Sequence, residues 1–191
     1  MGTNLDRRAF VARLLENRGG LLVIGSVGSP TYDVAACGDD AKNFYIWSGL
    51  GSTPSVGLGL ALAQPKKRVV VVTGDGDVLM ALGSLATIGV KQPKNLIIVC
   101  LDNGHYSASG MQPTATKAGV DLAEAARACK LRVEVANDLS SAERLREALH
   151  TGEGPLFIHA LVDADDQPRV IPSRDGVAIR QRFMDAIGAA I

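Results

Sequence analysis

Two stretches decide the fold: Val69-Val70-Val71-Val72-Thr73-Gly74-Asp75-Gly76-Asp77, and further on Leu96-Ile97-Ile98-Val99-Cys100-Leu101-Asp102-Asn103-Gly104. Each is a continuous apolar run that ends in a polar, glycine-containing cluster. Runs of this kind, without period-two alternation, are strands covered on both faces in a parallel sheet. Between them, Val78 to Val90 has helical periodicity. A helix of about 13 residues covers on the order of 20 Å, and a six-residue strand runs about 20 Å back, so both clusters return to the same sheet edge. In open α/β sheets that edge is where ligands bind.

The alternation continues outward from this unit. Upstream, Leu5 to Asn17 reads as a helix stopped by Gly19-Gly20, followed by strand Leu21 to Ile24, strand Phe44 to Trp47 and a small-residue helix from Ser55 to Ala63. Downstream of a polar, glycine-rich loop come helix Leu122 to Cys129, strand Arg132 to Val135, helix Ser140 to His150 and strand Leu156 to Val162. The fold class that follows is α/β, a doubly wound and mainly parallel sheet with helices on both faces. Residues 163–176, with Pro168 and Pro172, read as a linker to a last helix, Val177 to Ala190, and residues 1–191 as a single domain.

Composition narrows the function. The 20 basic and 20 acidic residues cancel, and no Lys/Arg-rich run stands out, so neither nucleic acid nor anionic lipid is an expected partner. The apolar runs have strand length, far below the roughly 20 residues that span a bilayer. The N-terminus carries Asp6, Arg7 and Arg8 and lacks the apolar centre of a signal peptide. Cys37, Cys100 and Cys129 are odd in number and form no CxxC pair, which points to structural thiols in a reducing cytoplasm.

The two strand-end clusters are rich in oxygen and suited to anions. Gly76 lets helix-start amides approach a phosphate, while Asp75 and Asn103 offer hard oxygen ligands to Mg2+. Either triplet alone is also an ordinary tight-turn signal. Taken together, at this separation and both at strand ends, they resemble the signature of thiamine diphosphate enzymes, a Gly-Asp-Gly followed at a similar distance by a paired-Asn turn.

The resemblance implies cofactors and roles. Thiamine diphosphate and Mg2+ are the expected cofactors, with the side chains of Asp75 and Asn103 and the backbone carbonyl of His105 as metal ligands. Gly74, Gly76, Asp77 and Tyr106 are placed against the cofactor. Asp102 stands where the family has its first Asn, and Asp77 where a small hydroxyl residue is common; the latter either points away or caps the helix. In Phe44-Tyr45-Ile46-Trp47-Ser48-Gly49-Leu50-Gly51, Leu50 corresponds to the bulky residue that supports the bent cofactor, with Ser48 near the aminopyrimidine. Ser26 and Gly28, in Gly25-Ser26-Val27-Gly28-Ser29, are candidates for the diphosphate, or simply part of a strand-to-helix loop.

Within the family, the run Leu101 to Thr114, the segment Gly83-Ser84-Leu85-Ala86-Thr87-Ile88-Gly89 and the segment Arg182-Phe183-Met184-Asp185-Ala186-Ile187 are similar to the sulfopyruvate and phosphonopyruvate decarboxylase branch. The branch implies decarboxylation of a small 2-oxo acid. It also implies a separate pyrimidine-binding α subunit carrying the activating Glu, hence a hetero-oligomer in which this chain is the β-type subunit and contributes no catalytic residue of its own beyond a possible His105. A sulfonate or phosphonate needs a cationic pocket, yet the loop from Asn103 to Thr116 has no Arg or Lys; Lys117 is a candidate, and the acid specificity stays open. The competing expectations are the β subunit of a 2-oxoacid:ferredoxin oxidoreductase, which shares Gly74 to Asp77 and the loop Tyr106 to Gln112, and a non-catalytic module with the same fold. Three scattered cysteines cannot supply the four ligands of an iron-sulfur cluster.

Overall fold

The computed structural model describes residues 5–189, so the termini of the expected domain and Ala190, the expected end of the last helix, lie outside the described residues. In chain order the elements are α1 (Arg7–Leu15), β1 (Leu22–Gly25), α2 (Ser29–Ala36), β2 (Asn43–Tyr45), α3 (Thr53–Ala63), β3 (Val69–Gly74), α4 (Asp75–Met80) and α5 (Leu82–Lys91). There follow β4 (Leu96–Asp102), a small hairpin of β5 (His105–Tyr106) and β6 (Gln112–Pro113), α6 (Leu122–Ala128), β7 (Arg132–Ala136), α7 (Ser141–Thr151), β8 (Leu156–Leu161) and α8 (Gly176–Ile187).

The main sheet has six strands in the order β2-β1-β3-β4-β8-β7, and every pairing in it is parallel. The apolar runs of β3 and β4 are buried on both sides because two separate cores flank them. Val70, Val72, Ile97 and Val99 point into a core shared with α1, α2 and α7. Val69, Val71, Leu96 and Ile98 point into one shared with α3, α5 and α6. Strand alternation alone produces this division, since successive side chains leave opposite faces.

The chain order reverses between β1 and β3. The helix that follows β1 packs on one face of the sheet and the helices that follow β3 on the other. A crevice opens at such a switch point, outside the C-terminal strand ends. In register, Gly74 of β3 lies opposite Leu101 of β4, which sets Asp75 and Asp102 side by side at that edge.

Two elements differ from the sequence expectation. The helix expected over Val78 to Val90 begins at Asp75 and breaks at Ala81, giving α4 and α5. Both oxygens of the Asp77 carboxylate accept hydrogen bonds from outside the helix, which ties the first helix down. The helix α2 escapes a search for apolar periodicity because it is short, although Ser29-Pro30 is a helix-start pair with proline in the first turn. The expected linker has no regular structure, but it is strapped down: the Asp163 amide donates to the Leu5 carbonyl, Gln167 to Asp6, and Trp47 Nε1 to the Ser173 carbonyl at 3.0 Å. Beyond it, α8 docks with Phe183 edge-on to Phe44 at 5.4 Å.

Candidate active site

At the switch point lies a cavity of about 130 Å³. Its walls include Leu50, the Gly74 to Asp77 turn, Asn103, His105 and Tyr106, so the structure brings most of the expected site residues to one place. Gly28 lines an adjoining pocket. Ser26 is fully buried with an unpartnered hydroxyl, and neither it nor Ser48 lines the cavity. Residues on the wall that the sequence did not suggest include Arg7, Pro30 and Ser107. Arg7 and Pro30 arrive from α1 and α2, which are remote in sequence from both strand-end clusters, whereas Ser107 follows Asn103 by four residues and accepts a hydrogen bond from its side-chain amide at 2.7 Å.

Local chemistry explains how each group is held. Gly76 has no room for a side chain, since a Cβ there would stand 2.6 Å from Cδ1 of the Tyr106 ring. Asp77 gives its carboxylate to the Gly51 amide and to the Thr73 hydroxyl at 2.5 Å, so it points away from a ligand and clamps the loop that carries Leu50. Leu50 itself is 40% exposed at the cavity wall. Asn103 Oδ1 accepts from the His105 amide at 2.9 Å, a side-chain turn that leaves the oxygen a second lone pair. The His105 ring turns back to the Asn103 carbonyl, with Nδ1 at 2.7 Å.

Asp75 is 2% exposed. The Thr114 and Thr116 hydroxyls both converge on its Oδ2, at 2.6 and 3.3 Å, leaving Oδ1 without a hydroxyl partner. Burial pushes its carboxyl up to about 6; the Thr114 hydrogen bond opposes this and the neighbouring Asp102 charge adds to it. Asp102 is bound from behind by His159 Nε2 at 2.8 Å, by Thr116 Oγ1 at 2.8 Å and by the Gly104 amide at 3.0 Å. Burial disfavours its charge, but the His159 and Thr116 hydrogen bonds prevail and hold its carboxyl below the ordinary range. Asp102 is therefore an anchor beneath the site, and the chain His159, Asp102, Thr116, Asp75 is continuous. Nothing in the sequence tied His159, 57 residues away, to this position.

Removing His159 tests that anchor. His159→Phe leaves a buried carboxylate without its principal partner, a change that costs on the order of 1–3 kcal/mol or more for a charged group. The urea midpoint should fall accordingly and partly recover in His159→Gln, which keeps a donor; a His159→Phe chain as stable as the wild type would contradict the network.

The donor set fits one kind of metal. Among the described residues no three His, Cys, Asp or Glu side chains gather as ligands, so a cage built by the protein alone is not offered. A single buried carboxylate, an amide oxygen and a nearby carbonyl suit a cation that completes its shell with phosphate oxygens and water, as Mg2+ does. Three buried carboxylates, Asp75, Asp77 and Asp102, also favour a cation at this edge.

Residues 27–160 match the family described as "Thiamine pyrophosphate enzyme, C-terminal TPP binding domain". The chain belongs to this family. Its matched span runs from α2 to β8 and includes Gly74 to Asp77 and Asn103, so most of the cavity wall, though not Arg7 or Val162, belongs to the thiamine pyrophosphate-binding domain. The chain is similar to "Sulfopyruvate decarboxylase subunit beta" of Methanocaldococcus jannaschii, 34% identical over 180 residues that cover 93% of this chain and 95% of the relative. It is also similar to "Phosphonopyruvate decarboxylase" of Streptomyces viridochromogenes, 41% identical over 79% of this chain but only 39% of that protein. Among solved structures, benzoylformate decarboxylase from Polynucleobacter necessarius superposes with a TM-score of 0.69 at 18% identity, over 86% of this chain and 34% of that one. That likeness bears on the fold of this thiamine pyrophosphate-binding domain. The chain spans about a third of the solved protein's length.

Proposed function

We propose that this chain is the β-type, diphosphate-holding subunit of a Mg2+-dependent 2-oxo acid decarboxylase of the sulfopyruvate or phosphonopyruvate type. The observation that carries the reading is that Asp75 and Asn103 line one cavity at the switch point of a thiamine pyrophosphate-binding domain. A relative named as a decarboxylase β subunit matches it over nearly its whole length and supports the same reading. Asp75, Asn103 and the carbonyl of His105 hold the Mg2+, and Gly74 and Gly76 accept the diphosphate against the start of α4. When bound, thiamine diphosphate supplies a nucleophilic ring carbon and an electron sink for the loss of carbon dioxide. Leu50 supports the bent cofactor, and Asp77 holds that leucine in place through the Gly51 amide.

The partner is a separate pyrimidine-binding α subunit that brings the activating Glu to the exposed side of Leu50. The three free thiols of Cys37, Cys100 and Cys129 suit the reducing cytoplasm, and among the described residues no helix is long and apolar enough to cross a membrane. Carbon dioxide release measured across sulfopyruvate, phosphonopyruvate and pyruvate, with no electron acceptor, tests the proposal. Activity is expected when this chain is combined with its α subunit and only at background level from this chain alone. Full activity of the chain by itself would remove the split site, and turnover that requires ferredoxin would replace the decarboxylase with an oxidoreductase.

A further inference from the structure

Beside the cofactor cavity two guanidiniums share a single buried carboxylate. Arg7 Nη1 and Arg8 Nε, on the first turn of α1, both bind the carboxylate of Asp33, at 3.3 and 3.0 Å. Asp33 is fully buried and Arg7 is 5% exposed. One carboxylate balances one of the two guanidiniums, and an uncompensated buried charge is costly. Among the described residues Arg7 engages Nη1 alone, leaving most of its five donors for something else.

Arg7 forms part of the wall of two cavities. The first is the cofactor cavity; the second, of about 80 Å³, opens from it and shares Arg7, Ser29 and Ser107. On its far side the strap contributes Arg169, along with Asp166. Ser29 opens α2, whose N-terminus has no side-chain cap. The pocket is smaller than the cofactor cavity, and its size is compatible with a small tetrahedral oxyanion. A guanidinium fork matches such an oxyanion in geometry as well as charge.

We propose that the pocket of Arg7, Ser29 and Arg169 binds a tetrahedral oxyanion. Its source is either the outer phosphate of the cofactor or the sulfonate or phosphonate of the 2-oxo acid, an identification that rests on the function proposed above. The cation absent from the loop 103–116 is thereby supplied by α1 and the strap. Lys117, the residue the sequence offered, packs against Gly104 and lines neither cavity.

The test uses the complex with its α subunit, as wild type, Arg7→Gln and Arg169→Gln. Thiamine diphosphate and thiamine monophosphate, each with Mg2+, are titrated calorimetrically, and KM is measured for sulfopyruvate and pyruvate. Loss of a charge-assisted hydrogen bond lowers affinity by roughly tenfold or more. If the anion is the cofactor's, thiamine diphosphate binding falls toward that of the monophosphate. If it is the substrate's, cofactor affinity holds while KM rises for sulfopyruvate and not for pyruvate. Variants unchanged in both overturn the proposal. Arg169 is exposed and makes no contact with Asp33, so Arg169→Gln decides the matter even if Arg7→Gln fails to fold. A wild-type complex that binds no thiamine diphosphate overturns the functional reading instead. Sulfate then serves as the probe: a melting temperature raised in the wild type but not in Arg169→Gln sustains the pocket, and an equal response in both overturns it.

Discussion

Asp75→Ala is expected to abolish Mg2+-dependent binding of thiamine diphosphate. Among the described residues, the substitution removes the carboxylate whose Oδ1 has no hydroxyl partner, whereas both oxygens of Asp77 are bound by Gly51 and Thr73 and those of Asp102 by His159, Thr116 and Gly104. No neighbouring acid can take its place. Partners that merely orient a metal ligand are worth about 10–100-fold in affinity, so loss of the ligand itself should exceed the upper end of that range. Calorimetry with Mg2+ held in excess reads the effect directly, and thermal unfolding gives a second measure. A ligand at a hundred times its Kd adds about 2.7 kcal/mol of stability, which the wild type should gain and the variant should not. Unchanged affinity in Asp75→Ala would remove the site assignment.

Gly89→Ala is expected to be the most damaging small substitution in α5. A Cβ at this position would overlap the carbonyl oxygen of Cys129 and stand 2.9 Å from its carbonyl carbon. The obstacle is main chain, which cannot rotate away as a side chain can. Ordinary overpacking costs about 1–3 kcal/mol, and this clash should exceed that range, because relief requires α5 to separate from the end of α6. Six residues earlier in the same helix, Gly83 has nothing within 4 Å of an added Cβ. Gly83→Ala should therefore stabilise by roughly 0.5–1 kcal/mol, through the reduced freedom of the unfolded chain. Urea unfolding of the pair is the measurement, and equal midpoints would mean that the close packing at Gly89 is absent.

Much of the candidate site could be read from the sequence because it is local. Gly74 to Asp77 and Asn103 to Tyr106 each follow directly from a strand, and strand polarity alone sends both to one edge. Asp77 was the ambiguous member: sequence position put it against the diphosphate, with its carboxylate either pointing away or capping the helix, and the structure turns that carboxylate away to Gly51 and Thr73. Ser26 and Ser48 fall within motifs of the right composition but do not reach the cavity wall. A residue's place in a loop does not tell which way the loop turns.

The sequence by itself determined the parallel α/β class, the two metal-ligand candidates and the family, because buried strands need uninterrupted apolar runs and a phosphate-bound cation needs hard oxygens at their ends. Tertiary structure alone decided the order of the strands, the crevice between β1 and β3, the His159 anchor beneath Asp102 and the arrival of Arg7 and Arg169 beside the cavity. It also separated Gly83 from Gly89, which the sequence presents as equivalent. All of these depend on contacts between residues far apart in the chain, and periodicity carries no information about which distant side chain will meet which.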